Sequence, residues 1–187
     1  MRVGLFGGSF DPFHLGHFLI ARSALERFGL QRVVFLPCAH SPLKKIRPVA
    51  SDRARLAMLR KGLQGQRWAE VSDWETRQGG VSYTVDTVRA WQRKYPRASL
   101  HWIMGSDQWW LLPSWKEPQE LRKKLKFLVF PRPESPRARR GFQMREIPLR
   151  LDISATEIRR RIQRNLPLAG LVLPPVERLI RNNRWYR

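Results

Sequence analysis

Two hydrophobic periods take turns along the chain, and each turn predicts an element. Val3–Phe6 is a short apolar run, which predicts a buried strand ahead of two glycines. Leu15–Phe28 then sets Phe18, Leu19, Ala21, Leu25 and Phe28 at helical spacing, with Gly29 as the stop. A second strand is predicted over Arg32–Pro37, β-branched and ended by proline. A helix capped by Ser51 or Asp52 carries Leu56, Leu59 and Leu63, and "WAEVSDWE" predicts a third strand. Val85, Val88 and Trp91 mark another helix, stopped by Pro96, and "LHWIM" predicts a fourth strand leading into Gly105. A helical stretch broken by Pro113 and Pro118 follows, then a fifth strand at "KFLVF" and a loop at "PRPESPRARRGF". "REIPL" predicts a short last strand, and "SATEIRRRIQR" and "PPVERLIRNN" predict two closing helices.

Strands alternating with helices predict an α/β fold with a mostly parallel sheet, helices on both faces and a helical C-terminal tail from about residue 154. Nothing in the composition divides residues 1–187, so one domain is expected. Apolar residues make up 42% of the chain, enough for a core, and no apolar run approaches the roughly 20 residues of a membrane helix. Arg2 precedes only a few apolar residues before glycines intervene, which is not a signal-peptide layout. The single cysteine, Cys38, makes no internal disulfide. These features together lead to the expectation of a soluble, cytoplasmic protein without membrane association.

Charge changes the picture more. Lys and Arg number 36 against 15 Asp and Glu, a formal net charge of +21. Such a field attracts polyanions, either nucleic acid or phosphorylated small molecules. The basic residues are spread along the chain and do not interleave with aromatics as nucleic-acid motifs do, so a basic nucleic-acid-binding module is the minor alternative.

Ligands of parallel sheets sit at the carboxyl ends of strands, and "GLFGGSFDPFHLGH" occupies that place: strand, Gly7-Gly8, helix start. Glycines let phosphates approach the backbone, and a helix N-terminus offers unpaired N–H groups. His14 and His17 share a helix face. Three roles fit them: a metal pair, hydrogen bonds at the helix entrance, or donors to phosphate oxygens. No protein-held metal is expected. At the other end, Ser154 and Glu157 have capping-box spacing, and Thr156 and Arg159 fall in the first turn or so. That cluster reads either as an ordinary capped helix or as a phosphate site.

"GGSFDPFHLGH" resembles the first signature of the H-x-G-H nucleotidyltransferases, and "ISATEIR" resembles their second, I-S-x-T-x-I-R. "VSYTVDTV", "IMGSDQWWLLPSWKEPQEL" and the closing "NRWYR" are similar to the bacterial nicotinate-nucleotide adenylyltransferase family, so the likeness covers nearly the whole chain. The resemblance implies a Rossmann-like, doubly wound fold and transfer of AMP from ATP to nicotinate mononucleotide in NAD biosynthesis. It also implies Mg²⁺ bound mainly through the ATP phosphates. Transfer to another phosphorylated acceptor, nicotinamide mononucleotide or phosphopantetheine, is the alternative within the superfamily.

The resemblance further implies roles. Gly7, Gly8, Ser9 and Phe10 would line the nucleotide site, His14 and His17 would contact ATP phosphates, and Gly16 would leave room for adenine and ribose. Lys44 would reach the polyphosphate, Gly105 and Asp107 would lie beside the nucleotides, and Ser154, Thr156 and Arg159 would bind the phosphate tail. Thr84 and Trp115 would hold the mononucleotide, the indole stacking on the pyridine; read singly, Thr84 and Asp107 are helix caps and Trp115 a packing residue. Three positions depart from the family pattern: Leu43 replaces the histidine of its P-P-H-K loop, Lys45 stands beside Lys44, and Lys116 follows Trp115 where an aromatic is usual.

Overall fold

The computed structural model describes residues 1–43 and 46–187. Six strands form one sheet: β1 (Arg2–Gly8), β2 (Arg32–Pro37), β3 (Ala69–Val71), β4 (Ser99–Gly105), β5 (Leu125–Phe130) and β6 (Met144–Glu146). Their order is β3-β2-β1-β4-β5-β6 and every pairing is parallel, the doubly wound Rossmann arrangement. The chain leaves β1 toward one edge and returns to β4 for the other. The order therefore reverses between β1 and β4, whose carboxyl ends carry Gly7-Gly8 and Gly105.

Period-two alternation in the strands gives each sheet face its own core. Phe6, Val33, Phe35, Ile103 and Leu128 face α1 (Leu15–Phe28), α2 (Asp52–Gly62), α7 (Ala155–Gln163) and α8 (Pro174–Asn182). Leu5, Val34, Leu36, Trp102 and Phe127 face α4 (Thr84–Lys94), α5 (Ser106–Leu111) and α6 (Pro118–Lys124). The two C-terminal helices thus share the first core.

The helix ends follow local chemistry. Gly29 takes a left-handed φ of 59° and its N–H donates to Leu25 O, ending α1 as glycine can without strain. Ser51 Oγ accepts from Ala54 N, so Ser51 caps α2 and Asp52 is its first residue. Pro113 sits in a 3₁₀ turn after α5, and Pro118 opens α6 where its missing N–H costs nothing.

The third strand is shorter than its sequence predicts. It ends at Val71, pairing only with Val33–Phe35 of β2, and Trp74–Gln78 is a short helix, α3. Ser72 Oγ accepts from Trp74 N at 3.2 Å and Asp73 O accepts from Arg77 N, so the Ser-Asp pair turns the chain before Glu75. The last strand is β6, and Ile147 just beyond it is buried and donates to Val129 O.

Candidate active site

A cavity of about 660 Å³ opens at the sheet's reversal point, over the carboxyl ends of β1, β4 and β5. Gly7, Gly8, Ser9, Phe10, His14, Gly16 and His17 form one side. Gly105, Asp107, Thr156 and Arg159 form another, and Thr84 and Trp115 line the remaining end. Lys44 lies outside the described residues. Ser154 is not part of the wall: its hydroxyl accepts from Glu157 N at 3.2 Å, capping α7 so that Thr156 and Arg159 reach the cavity. Glu157 does not complete the box; its carboxylate pairs with Arg160 and Arg161 instead.

The histidines do at the α1 entrance what Ser and Glu usually do. His17 N donates to His14 Nδ1 at 3.4 Å, and His14 N donates to His17 Nδ1 at 3.3 Å. The rings stack with centroids 3.6 Å apart. Both Nδ1 atoms therefore accept, and each ring carries its proton on Nε2. Burial holds the His14 imidazole neutral, its pKa lowered to about 3, and the charge of Arg132 adds to this. Phe13 lies parallel to the His17 ring at 5.9 Å, and the Phe10 edge meets it at 4.9 Å. Phe10, 1% exposed, supports the site from beneath, and holds a φ of 48°, a left-handed backbone that its packing sustains.

Gly16 answers to the same pair. A Cβ there would meet His14 Nδ1 at 3.0 Å and Cε1 at 3.1 Å, so glycine keeps the ring in its capping position. A Cβ on Gly7 would stand 2.7 Å from the Trp102 ring. Trp102 in turn packs edge-on against Trp115, ring centroids 6.3 Å apart.

Three residues that the sequence reading did not single out support or line the cavity. Arg55, fully buried, donates to Ser9 O and Cys38 O, both at 2.7 Å, which fixes the glycine loop against the end of β2. Asp11 is 5% exposed and is joined to residues far along the chain. Arg132, just past β5, lines the cavity and reaches Asp107 Oδ2 at 3.9 Å. Its position at a strand's carboxyl end was the usable signal, hidden inside a segment that reads as loop.

At the far end, Glu75 is buried with its carboxyl pKa raised to about 7 by loss of solvent, offset in part by Thr87, Ser82 and the charge of Arg55. Thr84 is the first residue of α4 and does not cap it; no side chain does. Asp107 likewise lies within α5, whose N-cap position is Gly105, and its Oδ1 is buried without a hydrogen-bond partner among the described residues. Leu43 and Lys116, two of the departures from the family pattern, both line the cavity. Lys116 Nζ sits 4.7 Å above the Tyr83 ring and 3.3 Å from Asp86 Oδ2. The cavity thus offers anion donors at one end and an aromatic, partly cationic slot at the other.

A family model described as cytidylyltransferase-like matches residues 5–161. A probable nicotinate-nucleotide adenylyltransferase of Methylacidiphilum infernorum is 40% identical over 187 residues, covering 99% of this chain and 92% of the relative. One from Opitutus terrae is 39% identical over 192 residues, covering 100% and 98%. Among solved structures, Plasmodium falciparum nicotinic acid mononucleotide adenylyltransferase complexed with NaAD superposes with a TM-score of 0.81 at 16% identity. That match covers 99% of this chain and 97% of the other, a likeness of fold.

Proposed function

We propose, since the chain belongs to the cytidylyltransferase-like family and within it to the nicotinate-nucleotide adenylyltransferases, that it transfers AMP from ATP to nicotinate mononucleotide. The products are nicotinate adenine dinucleotide and pyrophosphate, a step of NAD biosynthesis. The observation that supports this most is that His14, His17, Thr156 and Arg159, from signatures at opposite ends of the sequence, line one cavity with Thr84 and Trp115.

The attacking atom is a phosphate oxygen of the mononucleotide, and the bond broken joins the α-phosphorus of ATP to its bridging oxygen. That nucleophile is already anionic, so no general base is needed. The protein's work is to align two anions and to stabilise charge building on pyrophosphate. The Nε2–H groups of His14 and His17 serve as donors, and the neutral state of His14 lets it act without adding a buried charge. Arg159, Thr156 and Arg132 extend the anion-binding wall, and Lys44 belongs to the same role by its place in sequence. Gly7, Gly8, Ser9 and Gly105 admit the nucleotide to the strand ends. Trp115 and Thr84 hold the mononucleotide, the indole against the pyridine.

No group of three or more His, Cys, Asp or Glu among the described residues is placed to hold a metal by itself. A magnesium ion would be held by ATP's own phosphates, with Asp107 Oδ1, which has no hydrogen-bond partner among the described residues, as the carboxylate available to its water shell. Bound there, it would neutralise phosphate charge.

Replacing His17 by Ala tests the assignment. Pyrophosphate release from ATP with nicotinate mononucleotide should fall at least about a hundredfold, the scale of losing one preorganised donor, while the melting curve stays cooperative. Turnover near that of the unaltered protein in a folded variant would refute the role.

A further inference from the structure

Asp11 gathers four distant parts of the chain. Its carboxylate accepts from Val49 N at 2.7 Å (Oδ2), from Ala50 N at 3.1 Å and from the Tyr186 hydroxyl at 2.8 Å (both Oδ1). Its backbone oxygen accepts from Arg159 Nη1 at 2.6 Å, and the same nitrogen lies 3.8 Å from Oδ2. The segments joined are the first signature, the stretch entering α2, helix α7 with the second signature, and the C-terminal tail.

The tail is held with some insistence. Tyr186 carries left-handed backbone, φ 68°, which a buried non-glycine residue keeps where packing over-determines it. Tyr186 is buried in the core shared by α1 and α7, and burial together with Asp11 raises its hydroxyl pKa far above the usual tyrosine range. The hydroxyl thus stays a donor.

Asp11 stands three residues before His14, and Arg159 faces the same cavity. We infer that Tyr186 and Asp11 are positioning residues for phosphate binding: the tyrosine hydroxyl orients Asp11, whose backbone oxygen and carboxylate hold Arg159 in the cavity wall that the histidine pair also lines. The C-terminus is then part of the ATP site, although Tyr186 is not among the residues that line the cavity. The inference rests on the proposed nucleotidyl transfer for its catalytic consequence, and on ATP binding alone for its geometry.

Tyr186→Phe removes one oxygen and keeps the ring. At a temperature where circular dichroism shows both proteins folded, ATP affinity by calorimetry and kcat should each fall about tenfold, as for a lost hydrogen bond to a charged group. The KM for the mononucleotide should not move. In an Arg159→Ala background the same change should add little, because the residue through which it acts is gone. A bare packing role would lower the melting temperature and leave the ATP affinity and the coupling to Arg159 unmoved. The inference is overturned by unchanged ATP affinity in Tyr186→Phe, or by an undiminished further loss in the Arg159→Ala background. Should nicotinate mononucleotide prove not to be an acceptor, the proposed function falls, yet the ATP titrations still decide this point. Protein that binds no ATP at all overturns both.

Discussion

The two histidines divide their ring nitrogens between two tasks. Each Nδ1 closes the helix entrance, which leaves each Nε2 to carry the proton in the cavity proposed to bind phosphate. A structural and a chemical role for them, rivals when only spacing is known, are compatible because imidazole has two distinct nitrogens. Nitrogen-detected NMR of the apo protein should show His14 protonated at Nε2, with no titration between about pH 5 and pH 8. A His14 signal that titrates near the ordinary histidine value, or a proton on Nδ1, would contradict this. The motif residues were legible because H-x-G-H and I-S-x-T-x-I-R pack several roles into a few positions. The pairing of Asp11 with Tyr186 was not, since a hydrogen bond spanning 175 residues leaves no local pattern.

The elements that build the site differ in how much of themselves they show. β1 and β4 are apolar runs ending in glycine, and both were readable from hydrophobicity alone. The early end of β3 and the helix α3 were not, because "WAEVSDWE" supports a strand until Ser72 and Asp73 bond back to the chain as a turn. That turn carries Glu75 into the interior beside Thr87 of α4, 2.6 Å from its hydroxyl. The folded state holds the Glu75 proton up to about pH 7, whereas an unfolded chain loses it near 4.5. Between those values the unfolded state binds fewer protons, so stability falls as pH rises and the full penalty stands above about 7. Melting curves across this window should show Glu75→Gln losing less stability with rising pH than the unaltered protein. Parallel curves would mean that Glu75 is not the group responsible. Below about pH 7 a protonated Glu75 also spares the cavity it lines one negative charge.

For the whole molecule, the sheet order explains why the site lies where it does. Reversal between β1 and β4 opens a crevice at their carboxyl ends, and the C-terminal helices bring the second signature to that crevice from the far end of the chain. The alternation of strands and helices made this architecture legible; the path of the last helices back over the first core was not, because their apolar faces name no partner. The positive charge fits anionic substrates in sign. Surface pairs such as Arg22–Glu26 and Arg181–Glu177 use some of it, but 36 cations cannot be paired one to one by 15 acids.

The central claim, adenylyl transfer to nicotinate mononucleotide, is open to one direct measurement. Purified protein with ATP and Mg²⁺ is offered nicotinate mononucleotide, nicotinamide mononucleotide and phosphopantetheine separately, and pyrophosphate release is followed. The account predicts release with the first, with the dinucleotide as co-product, and little with the other two. Release with none of the three, or with phosphopantetheine alone, would contradict it.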